Sequence, residues 1–224
     1  MLTYQKTMAH LIRSPFLLPL FLLLVVGATA SAAESETRDW RFNALLDGKP
    51  IGHHNFHLVE SGGRRELSSE ARFNVKLLFV TVYTYVHDDK ETFQGDCLTS
   101  IDARTDDNGE KLPVKGSQEA QAFSVTNSKG PQTLPACIMT FAYWNPRMLE
   151  QKQLLNSQTG RYETVKIDKV GEESILAGGK QQPATKYLLT GDKLKIELWY
   201  SKDMQWLGLQ STAEGGRKLR YELQ

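Results

Sequence analysis

The sequence lacks the short motifs that announce an activity. It has no G-x-S-x-G, no H-E-x-x-H, no P-loop and no G-x-G-x-x-G. It therefore offers no nucleophile elbow, zinc helix or phosphate cradle. It also lacks an excess of either charge, with Lys+Arg at 27 and Asp+Glu at 26. Nucleic-acid binding usually shows as a basic surplus, and none is present. Long hydrophobic runs are missing too. The longest, Phe16–Val26, has 11 residues and is interrupted by Pro19, against the ~20 that a membrane-spanning helix needs. Only two cysteines occur in 224 residues. Hydrophobic residues at 40% and charged residues at 24% are those of an ordinary globular chain, which excludes disorder, collagen and a polytopic membrane protein.

What is present begins with a leader. Lys6 and Arg13 precede the short apolar run, and small residues follow from Gly27 to Ala32. Ala28-Thr29-Ala30 and Ala30-Ser31-Ala32 both fit a cleavage pocket that accepts small side chains. Residues 1–32 thus read as a secretory signal peptide rather than a membrane anchor, leaving 33–224 as a single exported domain. No cysteine stands near the cleavage sites to take a lipid. The exported chain carries 25 basic and 26 acidic side chains, so bulk charge favours neither nucleic acid nor an acidic membrane surface.

Cys97 and Cys137 both fall in the exported part. In an oxidising compartment an isolated pair is most simply a disulfide. The other uses of cysteine are a metal site or a nucleophilic thiol; no cluster of further ligands flanks these two residues.

Beyond residue 38 the dominant period is two, the period of half-buried strands. Trp40, Phe42, Ala44 and Leu46 alternate with Arg41, Asn43 and Leu45 before an Asp47-Gly48 turn. Leu67, Ala71, Phe73, Val75, Leu77 and Phe79 share one face. The stretch 65–87 is too long for one flat strand, and its apolar phase slips at Leu78, Val80 and Val82, predicting a bulge or a turn near Thr81. Asn108-Gly109 is a strong hairpin signal. Residues 115–136 read as loop. One short helix is expected over 146–155, with Asn145 as its N-cap, Pro146 at its first position and Met148, Leu149 and Leu155 on its apolar side. The C-terminal third returns to strands, notably Leu194, Ile196, Leu198 and Tyr200 in clean alternation. Nine to twelve strands with hairpin-scale connections imply a mainly all-β, antiparallel meander curled into a barrel or half-barrel.

Three groups of residues could carry function. His53, His54 and His57 suggest a metal site, but in a strand His53 and His57 stand ~13 Å apart, too far to share one ion. No metal or cofactor is expected. Asp106-Asp107-Asn108-Gly109 superficially resembles a calcium loop, but Arg104 stands where the motif needs an acid. Tyr83, Tyr85, Tyr143 and Trp144 are the third group. A helix laid across the mouth of a curved sheet would set Trp144 against its concave face, making an apolar ligand cleft; ordinary core packing is the competing account.

Several segments in order resemble a known family: Leu46–His54, the stretch from Tyr83 to Cys97 with His87 and Glu91, Thr105–Gly109, and Phe141-Ala142-Tyr143-Trp144-Asn145-Pro146. These are similar to the exported bacterial proteins grouped as domain of unknown function 6134. Leu198-Trp199-Tyr200-Ser201-Lys202-Asp203 resembles the related domain of unknown function 3108. The resemblance implies a periplasmic β-rich protein of Gram-negative bacteria and no established activity. It matches His54, His87, Glu91, Trp144 and Asn145 as candidate positions. Two functions are therefore expected to compete. One is a non-enzymatic envelope protein holding a lipid-like or other apolar small molecule. The other is a hydrolase-like enzyme acting on envelope material, if His54, His87 and Glu91 converge for acid–base work. An outer-membrane barrel is disfavoured by the expected 115–136 loop and the helix.

Overall fold

Fifteen strands account for most of the described residues. The computed structural model describes residues 35–212 and 214–224; the expected leader and its cleavage sites lie outside them. In chain order the strands are β1 Glu36–Leu46, β2 Lys49–Ser61, β3 Arg64–Leu77, β4 Val80–Gln94, β5 Cys97–Asp107, β6 Glu110–Gln118, β7 Ala122–Asn127, β8 Gly130–Pro135, β9 Gln153–Leu155, β10 Tyr162–Thr164, β11 Lys166–Ala177, β12 Lys180–Thr190, β13 Lys195–Tyr200, β14 Trp206–Thr212 and β15 Lys218–Leu223. Thirteen form one sheet in the order β11-β12-β13-β14-β15-β1-β2-β3-β4-β5-β6-β7-β8, and β9 pairs with β10 apart from it.

Every neighbour in the large sheet is antiparallel, and nearly all are consecutive in sequence. The exception joins the ends of the chain: β1 pairs with β15, with Phe42 opposite Leu223 and Leu46 opposite Leu219. The sheet curls but does not close, since β8 and β11 remain edges. The alternation read in the sequence decides which face turns inward. On β1, Trp40, Phe42 and Ala44 are buried while Asp39, Arg41 and Asn43 are exposed. A polar outer face of this kind suits water rather than lipid tails.

Turn chemistry sets the hairpins. Asp47-Gly48, Gly62-Gly63 and Asn108-Gly109 all take positive φ, as two-residue hairpin turns require. The turn between β3 and β4 is Leu78-Phe79, with Leu78 at φ 57°. It lies earlier than Thr81. The slip in apolar phase is a separate bulge: Val75 pairs with Tyr83 and Lys76 with Thr81, leaving Val82 unmatched.

Two sequence expectations are corrected. Residues 115–136 are not loop but the end of β6 and all of β7 and β8. Pro131 and Pro135 misled because proline is rare in sheets, yet β8 is an edge strand, where a missing N–H costs nothing. The expected helix over 146–155 is only a 3-10 turn, Pro146–Glu150. Asn145 does cap it, its side chain accepting from the Arg147 N–H. Gln151 then turns extended at φ −81°, ψ 149°, and Leu154 and Leu155 are buried on β9 rather than on a helical face.

The connection from β8 to β11 fills the interior. The Cys97–Cys137 disulfide, with Cα atoms 4.7 Å apart, pins its start to β5. The Leu98 N–H then donates to Ile138 O at 2.8 Å. Further along, the Tyr200 hydroxyl donates to Tyr143 O at 2.8 Å, on the far side of the sheet. Ile138, Met139, Trp144, Met148, Leu154 and Leu155 are all buried in the main core. This segment stops one end of the curled sheet. The other end, where the Asp47-Gly48, Leu78-Phe79 and Asn108-Gly109 turns gather, stays open. A smaller core of Ile175, Ala177, Ala184, Trp199 and Leu207 forms where β11 and β12 fold back over the outer face of β13–β15.

Candidate functional site

The curled sheet encloses a cavity of about 690 Å³. That volume is in the range of small-molecule sites. Its apolar wall includes Ile51, Phe73, Phe141, Leu194, Leu209 and Leu219, and its rim at the open end includes Leu46, Val82, Lys193, Lys195 and Arg217.

Strand β4 supplies the longest row of lining groups. Because successive side chains alternate across a strand, Tyr83, Tyr85, His87, Asp89, Glu91 and Phe93 all point inward. The row descends from the rim to the stopped end at ~6.6 Å per step. The Tyr83 hydroxyl donates to Asp107 Oδ1 at 2.7 Å and the Tyr85 hydroxyl to Gln158 Oε1 at 3.3 Å. Phe73 on β3 stacks on Tyr85 with centroids 5.1 Å apart. Burial raises the pKa of Tyr83, Tyr85 and Tyr143, so all three remain phenols.

Tyr143 and Trp144 come from the segment that stops the sheet. The Tyr143 ring lies 5.3 Å from Trp206. Trp144 meets Phe93 edge-on at 5.4 Å, with the Arg65 guanidinium 5.7 Å from its ring centroid. The four aromatics singled out in the sequence, Tyr83, Tyr85, Tyr143 and Trp144, thus border one cavity. Trp144 does so beside a 3-10 turn rather than a helix.

The polar part of the wall is deep. His87 is buried and its Nδ1 lies 2.8 Å from Thr105 Oγ1. Burial lowers its pKa to about 4. His54 stacks on Phe56 at 4.1 Å, and its Nδ1 is 3.2 Å from the Tyr221 hydroxyl. Burial, then the neighbouring His87, hold it well below the ordinary imidazole range. Both rings are neutral at pH 7.

Below them lie two buried carboxyls. Asp89 is pushed up to about 7 by burial. Glu91 is raised well above the usual carboxylate range by burial and by the Asp89 charge. Two like charges buried this close cannot both ionise cheaply, so the pair retains a proton near neutral pH, and the Thr140 hydroxyl donates to Glu91 Oε2 at 3.0 Å. His54 Nε2, Asp89 Oδ1 and Trp144 Nε1 are buried with no hydrogen-bond partner among the described residues. Groups with unused capacity of this kind cost ~1–3 kcal/mol each.

The structure separates the other candidates. His57 pairs with Asp39 at 2.8 Å and His53 with Glu70 at 3.4 Å, both outside the cavity, while His54 faces in. His54 and His87 meet edge-to-face with centroids 6.3 Å apart. Among the described residues neither ring hydrogen bonds to Glu91, which accepts from the Thr140 hydroxyl. No group of three His, Cys, Asp or Glu among those residues could hold a metal ion.

Sequence reading missed Asp89 and Tyr221. Asp89 shares the parity of His87 and Glu91 on β4, which is the signal that could have found it. Tyr221 was hidden because the pairing of β1 with β15 leaves no local trace.

The family model described as "Domain of unknown function (DUF6134)" matches residues 42–224, a span that holds every cavity-lining residue named above. The chain belongs to the DUF6134 family. Among solved structures it is similar to a beta-barrel-like protein of domain of unknown function DUF1849 from Brucella abortus, with a TM-score of 0.62 at 10% identity. The match covers 87% of this chain and 98% of that one. At that identity the likeness concerns the fold, and it agrees with the curled, β-rich sheet of this DUF6134 protein. No curated protein matches the chain.

Proposed function

We propose that this DUF6134 protein is an exported envelope protein that binds one apolar or amphipathic small molecule inside its curled sheet. The observation that carries the reading is the 690 Å³ cavity, walled by apolar side chains and open at one end. An apolar tail gains ~25 cal/mol for each Å² it removes from water. The polar wall at His54, Asp89 and Trp144 would select an uncharged head group. Its imidazoles are neutral, and its carboxyls hold a proton between them. A charged head would have to be desolvated there without a full counter-charge, which is costly. The leader read over residues 1–32 and the Cys97–Cys137 disulfide support an oxidising, extracytoplasmic compartment.

The test is a titration with the apolar fluorophore N-phenyl-1-naphthylamine. Emission should rise and saturate at one probe per chain. Leu194 is a half-buried wall residue between the rim lysines Lys193 and Lys195, and Leu194→Glu should weaken binding at least ~10-fold, because a carboxylate would be desolvated near the entrance. Unsaturable emission, or equal binding by the variant, would contradict the proposal.

A further inference from the structure

The hairpin between β3 and β4 ends in an apolar tip that the fold does not use. Leu77, Leu78, Phe79 and Val80 are 68%, 86%, 98% and 66% exposed. The ladder runs to its end, with Leu77 opposite Val80, so this is an ordered two-residue hairpin rather than a ragged loop. Neighbouring hairpins at the same end turn on Asp47-Gly48 and Asn108-Gly109, residues that accept positive φ easily. Here Leu78 takes φ 57°, a conformation that branched or bulky side chains adopt at a cost. Folding alone would favour glycine and a polar partner. Two large apolar residues are placed at the tip instead.

The tip stands at the cavity mouth. Val75 and Val82, at the base of the hairpin, are lining residues of the cavity itself. The same end is basic on balance. Asp47 and Asp106 are paired with Arg217 and Lys111. Lys49, Lys76, Lys129, Lys193, Lys195 and Lys218 have no ion-pair partner among the described residues, against the acidic residues Asp107, Glu110, Asp192 and Glu214 in the sequence at this end. Lys193 and Lys195 are on the rim and Lys76 adjoins the tip. An apolar projection framed by lysines has the chemistry of an interfacial membrane contact: apolar groups enter the acyl region while cations meet anionic head groups.

We propose that the Leu77–Val80 tip inserts into the surface of an anionic phospholipid bilayer and sets the cavity mouth against it. Contact with the membrane is carried by the tip and the lysines alone. That it serves to pass a ligand through the mouth rests on the cavity reading above.

Vesicle flotation tests this, using the chain purified as the cell processes it. The vesicles are phosphatidylglycerol with phosphatidylethanolamine in one arm and phosphatidylcholine alone in the other. The protein should float with the anionic vesicles, and less with phosphatidylcholine. Leu78→Ser with Phe79→Ser, both at solvent-exposed positions, should reduce partitioning at least tenfold while N-phenyl-1-naphthylamine still binds the cavity. Phe79→Trp should keep binding, and its emission should shift to the blue on mixing. Absence of flotation, or equal flotation by the double-serine variant, would overturn the proposal. So would a concentration-dependent dimer that the double-serine substitution abolishes, since a second copy would then cover the tip. Loss of probe binding in the unsubstituted protein, with flotation intact, would instead remove the cavity reading and leave the membrane contact standing.

Discussion

Asp89 and Glu91 stand two residues apart on the inner face of β4, both buried, and the pKa of each is raised by that burial. A strand places positions i and i+2 on one face, so the pair is a direct product of its spacing. Two like charges in an apolar interior cannot both ionise without large cost. The pair therefore makes the stability of the fold depend on pH.

The sign follows from the direction of the shift. Asp89 is raised to about 7, so its contribution is full below the ordinary aspartate range and is lost as pH rises through about 7. His87 works in the opposite sense: lowered to about 4, it contributes above the ordinary imidazole range and loses that contribution as pH falls toward 4. The wild-type profile mixes both, and Asp89→Asn isolates the first. That variant should gain stability relative to wild type between pH 5 and pH 8, by on the order of 1–3 kcal/mol, since each decade of proton affinity is worth ~1.4 kcal/mol. Urea unfolding at the two pH values measures it. An equal difference at both would show that Asp89 ionises normally.

The disulfide joins residues 40 apart in sequence and closes a loop that contains β5–β8. Replacing both cysteines by serine should cost up to about 4 kcal/mol, the loop-closure entropy restored to the unfolded chain. Thiol titration of the denatured, unreduced protein should find no free thiol. Two thiols per chain, or unchanged unfolding midpoints in the variant, would refute this account of the Cys97–Cys137 link.

Gly52 lies two residues before His54, at φ +152°, and a Cβ built there would meet Arg72 O at 1.8 Å. No flexible atom can yield, because the obstacle is the backbone of β3. Gly52→Ala should destabilise by more than about 2 kcal/mol. Gly48→Ala is the control. It has positive φ but nothing within 4 Å, so only the ~1–2 kcal/mol of a left-handed residue applies. Thermal unfolding of the two variants should rank them in that order.

Much of this fold was legible because period-two alternation is a local signal. Trp40, Phe42 and Ala44, or Leu194, Ile196 and Leu198, announce their strands without help from elsewhere. The disulfide followed from counting cysteines in a chain read as exported, and the hairpin at Asn108-Gly109 from the φ that these residues accept. What stayed hidden depends on distant partners. Pro131 and Pro135 are compatible with a strand only because β8 lies at an edge. Leu154 and Leu155 match a helical face as well as a strand until β10 pairs with β9. Four aromatics that border the cavity were named in advance, but Asp89, whose one signal was its parity with His87 and Glu91, was not. A carboxylate on a strand ordinarily faces water, and only the curl of the sheet turns this one inward. The Leu78-Phe79 turn was missed for a similar reason: its residues are chosen against turn propensity.

The central claim is that the cavity holds an apolar ligand, and denaturing extraction followed by lipid mass spectrometry tests it most directly. The protein would be purified from its own cells without detergent, alongside Leu194→Glu. The account predicts an apolar or amphipathic species that co-purifies near one per chain and falls at least several-fold in the variant. Extracts without such a species, or with equal amounts from both proteins, would contradict it.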